Sequence, residues 1–458
     1  MTTLPPAPDP AVIDQRSGTR VDSATDPEVM GEVFRRLLQT PERDIVGCRI
    51  ARYRHRPGER CLVQYAISVR DGAGVVTDEH VTGQWHHAPE RTPALYRKLA
   101  RRAAATDGDA AWTSPFAPVF FDASSGMLAT TWPWDRRLPA LPRIATGRAP
   151  ELLAPMLAWM DAGSADLEGV RVERVRYREQ LNAVCRYDVR VRREPGRTEA
   201  ARFFVKAYTD DGGARAAGLL AMLDAATPPA SGAARVRRAV AYVDQCRALI
   251  LAEAPGTPLD RLPMDPRVIE PALRHVATAL AWFGERRAPL GVLTADDRRT
   301  ATGRARQALA SALPHLQPVL DRVHAIIAAA ALDARPGLTH GDLKLEHVFL
   351  DQGAVHLIDV DSCRLADPLW DLALLQARWW AARDAEGSER ALGDWGGGVL
   401  EAAYLARVRD RPTTHLPVLQ AMACLDVAAG LVKRRETAWG ERAGRLIARA
   451  RMLAEAAR

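Results

Sequence analysis

Leu338-Thr-His-Gly-Asp-Leu-Lys-Leu-Glu-His-Val-Phe-Leu350 decides the fold, with Val355-His-Leu-Ile-Asp-Val-Asp361 and Asp367-Pro-Leu-Trp-Asp-Leu-Ala373 close behind it. The runs Val348–Leu350 and Val355–Ile358 read as a tight pair of strands. One carboxylate, Asp342, sits on the loop ahead of the pair; two more, Asp359 and Asp361, sit where the return strand ends. Oxygen ligands at the exit of a buried strand suit a hard cation such as magnesium. A carboxylate ahead of the hairpin can accept a proton from an attacking hydroxyl. Phosphoryl transfer divides its labour in this way, one acid for the metal and one for the nucleophile.

Around this segment the apolar spacing is helical. Arg267–Arg286, Asp297–Leu313 and Leu316–Leu332 are Ala-rich helices by pattern. From Trp370 onward the chain reads as helix again, with loops expected near Gly393–Gly398 and Pro412. Gly396-Gly397-Gly398 follows no strand, so it reads as a lid or turn rather than a dinucleotide loop. Trp379, Trp380, Trp395 and Tyr404 fall in this helical part, where aromatics could line an acceptor pocket, and core packing is the reading preferred.

Upstream the pattern is different. Met30–Leu38 is an amphipathic helix, followed by strand-like runs at Ile50–Tyr53, Cys61–Val69 and Val75–Trp85, with turns at Pro57-Gly58 and Asp71-Gly72. A helix over Ala94–Ala105 comes next. The plan then repeats: helix Ala154–Met160, strands Val172–Tyr177, Cys185–Arg192 and Ala201–Tyr208, a turn at Pro195-Gly196, helix Ala214–Asp224, and closing strands at Tyr242 and Leu249–Ala252. Arg52, Tyr53, Arg54 and Cys61 recur as Arg176, Tyr177, Arg178 and Cys185, all 124 positions on. Pro133 recurs as Pro255, 122 positions on. Repetition at residue level indicates two copies of one supersecondary unit. The expected fold class is therefore α+β, with segregated strands and helices.

The motif segment resembles the aminoglycoside phosphotransferase and choline-kinase-like families, which share the protein-kinase-like fold. Their pattern is His-Gly-Asp-Leu-x-x-x-Asn, a short hairpin, Ile-Asp-x-Asp/Glu, then Asp-Pro-x-x-Asp-Leu-Ala, matched here at 340–343, 358–361 and 367–373. The resemblance covers about 170 to 458. It implies a two-lobed fold, an antiparallel β N-lobe and a mostly α C-lobe, preceded here by an extra N-lobe-like β unit. It also implies an ATP-dependent phosphotransferase acting on a hydroxyl of a small molecule such as a sugar, aminoglycoside or amino alcohol. By the same resemblance Asp342 is the catalytic base, and Asp359 the main magnesium ligand, with His347 and Asp361 completing the metal set. Lys206, a lysine inside the apolar strand Phe203–Tyr208, would hold the nucleotide phosphates, because a buried lysine requires a partner. The backbone around Glu253 and Ala254 would pair with adenine. Asp371 would brace the catalytic loop, and His340 and Gly341 would shape it. The first copy offers only Thr82 or Gln84 where the second has Lys206, so the second copy alone is expected to bind nucleotide. The implied domains are a tail over 1–27, a cap unit over 28–148, the nucleotide lobe over 149–259 and the helical lobe over 260–458.

Three departures stand out. His347 occupies the family's asparagine position, and imidazole is a poor magnesium ligand. The helix after Lys206 has no acid before Asp224, and the loop Arg178–Ala183 has no glycine. They support an alternative, a nucleotide-binding pseudokinase with a regulatory role. A protein kinase fits less well, because no Ala-Pro-Glu element follows Asp361.

Composition sets the outer bounds. The chain has 458 residues, 63 Lys+Arg against 56 Asp+Glu, and a pI near 9.3. The arginines come in short pairs diluted by acids, with no long basic block, so a nucleic-acid partner is not expected. Only four of the basic residues are lysines: Lys98, Lys206, Lys344 and Lys433. A lysine in such a chain marks a place where a compact ammonium is wanted. The six cysteines show no CxxC spacing, which gives neither a zinc site nor a disulfide framework. No signal segment and no membrane span are read from the sequence, so the expected compartment is the cytoplasm.

Overall fold

The computed structural model describes residues 23–56, 60–106, 114–194, 196–226, 234–332, 335–384, 390–434 and 438–457. The expected tail up to residue 22, the turn Pro57-Gly58 and Pro195 lie outside them. The chain divides into two compact units: one runs to Asp211 and includes Tyr242–Ile250, the other takes Gly212–Ala241 and Leu251–Arg458.

The first unit opens with α1 (Pro27–Leu38), whose N-cap Asp26 accepts from the amides of Glu28 and Val29. Proline at the first helical position leaves no extra donor unpaired. Then come β1 (Arg43–Arg56), β2 (Arg60–Asp71), β3 (Val76–His86), α2 (Thr92–Thr106), β4 (Val119–Asp122) and β5 (Met127–Thr131). Helices α3 (Leu141–Thr146) and α4 (Pro150–Trp159) lead into β6 (Leu167–Arg178), β7 (Asn182–Glu194) and β8 (Arg197–Tyr208). The chain then passes through α5 (Gly212–Ala225) and β9 (Ala234–Val236), which belong to the second unit, before β10 (Ala239–Val243) and β11 (Ala248–Ala252) complete the sheet.

The duplication is visible in the topology. One sheet has the order β1-β2-β3-β5-β4 and the other β6-β7-β8-β11-β10, so corresponding strands occupy corresponding places, with a helix after the third strand of each. The register breaks recur too: β1 bulges between Ile50 and Arg52, and β6 between Arg174 and Arg176, again 124 positions apart. The third strands do not keep that offset. Cys61 faces Trp85 while Cys185 faces Val205, because the two hairpins differ in length. The rung holding Lys206 opposite Val184 therefore corresponds to Arg60 opposite His86. The first-copy counterpart of Lys206 is His86, not Thr82 or Gln84.

The second unit carries β12 (Thr257–Pro258), α6 (Pro266–Gly284), α7 (Ala295–Ala312), α8 (Gln317–Ala329), β13 (Gly337–Thr339), β14 (Val348–Asp351), β15 (Ala354–Leu357) and β16 (Arg364–Ala366). It ends in α9 (Leu369–Asp384), α10 (Arg390–Leu405), α11 (Leu416–Arg434) and α12 (Trp439–Ala456). Its core is α11, buried from Leu416 to Leu431 along nearly its whole length and packed against α7, α9 and α12. No membrane span is read from the sequence, yet this helix is long and apolar enough to cross a membrane by length and composition; 72% of its most apolar window is buried within the protein, as in a core helix. The glycines at 393–398 are also not a loop but lie inside α10. A Cβ at Gly396 would stand 2.7 Å from the Trp379 indole and one at Gly397 2.7 Å from Trp380, so these glycines let two buried tryptophans approach the helix closely. Tyr404 is fully buried as well, as expected of core.

Candidate functional site

The His340–Leu343 segment lies in the second unit between β13 and β14. β13 pairs with β16, which brings residue 339 opposite Arg364 and sets the loop beside the turn that follows β15. Gly341 has φ +80°, and a Cβ there would stand 2.6 Å from the Ser362 carbonyl oxygen; only glycine fits this approach. Asp371, fully buried at the start of α9, accepts from the His340 amide at 2.6 Å and the Gly341 amide at 2.9 Å. Burial pushes its carboxyl up, and the two amides with Arg298 oppose that. Arg298 is itself seated over the Trp370 ring at 3.6 Å. Asp371 therefore braces the loop, and His340, fully buried with Nε2 2.8 Å from the Ile358 carbonyl, ties it to the end of the hairpin.

Two cations converge on the Asp342 carboxylate: Lys344 Nζ at 3.3 Å and an Arg378 nitrogen at 3.7 Å. His347 bridges onward. Its Nδ1 is 3.1 Å from the Asp342 carbonyl oxygen and its Nε2 3.7 Å from Asp359 Oδ2. Burial, with His340 and Lys344 nearby, holds this imidazole well below its ordinary range. Asp359 adopts φ +65°, a left-handed conformation that non-glycine residues hold only when their surroundings impose it. The short turn 360–362 follows, carrying Asp361 on the surface, and α5 packs against that turn.

Arg237, which the sequence reading did not single out, belongs to the same constellation. β9 pairs parallel with β15, and the Arg237 amide continues the ladder by donating to Leu357 O at 3.0 Å. Its Nε donates to the carbonyl of Ala252, in the segment that leads to Glu253. Burial pulls this guanidinium down to about 10, while Glu253 and Asp359 hold it charged. One buried cation thus connects the chain before Glu253 and Ala254 with the end of the hairpin. Asp224, the acid at the far end of α5, pairs instead with Arg238 at 3.8 Å on the surface.

Within this unit the structure brings together Asp342, His347, Asp359, Arg237 and the 252–254 segment. Lys206 lies in the first unit, on β8, buried, with its ammonium 5.6 Å from the centre of the Tyr208 ring. Among the described residues no three His, Cys, Asp or Glu side chains form a metal cage. Magnesium does not require one, since it is commonly held through one or two carboxylates and the phosphates of its nucleotide. Asp359 has the oxygen chemistry for that. His347, with both ring nitrogens directed at protein oxygens, does not.

An antiparallel five-stranded sheet with a helix after its third strand, followed by a helical unit bearing one short hairpin, is a protein-kinase-like arrangement. The sequence profile described as the phosphotransferase enzyme family matches residues 134–410, more than half of the chain, and the chain belongs to that family. Among solved structures, choline kinase from Cryptosporidium parvum is 10% identical with a TM-score of 0.45, over 68% of this chain and 96% of that one. A thermostable mutant of an aminoglycoside phosphotransferase is 12% identical with a TM-score of 0.44, over 66% and 98%. An aminoglycoside phosphotransferase from Streptomyces rimosus is 22% identical with a TM-score of 0.35, over 59% and 98%. No curated protein matches the chain in sequence. The family assignment rests on the profile match.

Proposed function

We propose that this chain is an ATP-dependent kinase that phosphorylates a hydroxyl group of a small molecule, a sugar, aminoglycoside or amino alcohol. The reading is carried by His347, which joins the backbone carbonyl of Asp342 to the carboxylate of Asp359 and so ties the two acidic positions together beside a braced loop. Asp342 orients the acceptor hydroxyl and takes its proton. Lys344 and Arg378, both beside that carboxylate, place positive charge where the transferring phosphoryl group gathers negative charge. Asp359, with Asp361 beside it, would hold magnesium, which when bound neutralises the phosphate oxygens. Lys206 fixes the donor phosphates, and the backbone at Glu253 and Ala254 receives the adenine.

His347 in the asparagine position, together with the absence of an acid early in α5, favours the second reading of a nucleotide-binding pseudokinase. ADP formation, measured with magnesium against a panel of sugars, aminoglycosides and amino alcohols, separates the two. Acceptor-dependent ADP release is the expected result. Binding of ATP with no ADP release for any acceptor would transfer the case to the pseudokinase.

A further inference from the structure

The turn between β6 and β7, residues 179–181, stands at the Lys206 end of its sheet. Asn182 faces Tyr208 and Val184 faces Lys206, so the turn begins about two residues, or roughly 7 Å, beyond the lysine rung. A turn in this place lies over the phosphates in the reading above. It has no glycine, yet Gln180 sits at φ +56°, where a side chain is disfavoured. Something outside the turn has to impose that conformation.

Side chains near and within the first copy do so. Asp135 Oδ2 accepts from the Gln180 amide at 2.6 Å and from the Tyr177 hydroxyl at 3.0 Å, while its Oδ1 accepts from the Arg137 amide at 2.8 Å. Gln84 Nε2 donates to Glu179 Oε1 at 2.5 Å, and Gln180 Nε2 donates to the same oxygen at 2.9 Å. Arg136 donates to Gln180 Oε1 at 2.8 Å. Trp132 meets the Tyr177 ring edge-on at 4.9 Å. Gln84, Asp135, Glu179 and Gln180 are all buried, while Leu181 at the tip is 41% exposed. His86, on the rung that corresponds to Lys206, lines the same recess with Gln84, Thr130 and Glu179. The turn of the second copy thus forms one wall of the recess beside His86 in the first.

We propose that Asp135, Gln84 and Arg136 are positioning residues: they hold the 179–181 turn in its left-handed conformation and thereby set the affinity for ATP. The first β unit replaces, by bracing from outside, the backbone freedom that glycines give a phosphate turn. The inference rests on the nucleotide reading proposed above.

The test measures equilibrium binding of ATP with magnesium to the full chain. Asp135→Ala and Gln84→Met should each weaken ATP about ten-fold or more, because binding must then order the turn. Adding Gln180→Gly to Asp135→Ala should restore most of the affinity, since glycine takes φ > 0 without the brace. Phe34→Leu, in the core of the first copy and away from the turn, should lower the melting temperature and leave ATP affinity unchanged. Lys206→Ala is the control for the underlying reading. If Lys206→Ala weakens ATP while Asp135→Ala and Gln84→Met bind as wild type, the positioning role is overturned. If Lys206→Ala also binds as wild type, the nucleotide reading itself fails. Should Asp135→Ala not fold, Gln84→Met, which keeps the side chain's length and removes only its amide, decides the matter alone.

Discussion

His347 lies 3.7 Å from Asp359 through Nε2 and touches the Asp342 backbone through Nδ1, so an imidazole spans the two acidic positions of the site. The related families carry asparagine here, whose amide oxygen is a hard ligand. His347→Asn should therefore lower the magnesium concentration for half-maximal ADP formation several-fold and leave the acceptor KM unchanged. A higher magnesium requirement in the variant would mean that the imidazole is needed as it stands.

Glu179 gives a pH prediction of defined sign. Burial pushes its carboxyl up to about 7, Asp135 adds to that, and the Gln180 amide, Arg60 and Arg136 oppose it. Tyr177, Gln84 and His86 are its other polar neighbours. Oε1 accepts two amide bonds and Oε2 has no partner among the described residues. A carboxyl whose folded value stands above its unfolded one contributes fully below about pH 4.5, and that contribution is lost as pH rises to about 7. Glu179→Gln keeps the acceptor at Oε1 and places an amide group where Oε2 was. The variant should match wild type near pH 4.5 and exceed it above pH 7, by on the order of 3 kcal/mol at full effect. Asp135 titrates in both proteins and cancels in the difference. Denaturant unfolding at pH 5 and pH 8.5 measures this; a difference that does not grow with pH contradicts it.

Gly341 tests the brace on the catalytic loop. An added methyl would meet the Ser362 carbonyl at 2.6 Å in a backbone conformation that alanine disfavours. Gly341→Ala should cost roughly 1–3 kcal/mol of stability and lower kcat, because Asp342 is the next residue. Unchanged kcat with a lowered melting temperature would detach the loop geometry from turnover.

Much of this was legible in the sequence because the decisive residues are neighbours in it. The hairpin and its three acidic positions follow one another within 36 residues from Leu338 to Ala373, and strict spacing carries their geometry. The duplication was legible because Arg-Tyr-Arg and Cys recur at a fixed offset. The third strands escaped it, since a change in hairpin length moves every later rung and put His86 where Thr82 or Gln84 was expected. Arg237 escaped for a different reason: it reaches Asp359 through a parallel strand pairing, and no local pattern reports a partner more than a hundred residues away. Lys344 carried a usable signal as one of four lysines in an arginine-rich chain. The glycines of α10 read as a break because glycine is a weak helix former. Two tryptophans facing them explain the exception, and such packing is invisible until the helices are placed.

The role of Asp342 is tested most directly by comparing Asp342→Ala with wild type in two assays, ATP binding and acceptor-dependent ADP formation. The variant should bind ATP like wild type and turn over some 10²- to 10⁴-fold more slowly, the usual scale for losing a general base. Turnover at the wild-type rate in Asp342→Ala would contradict it.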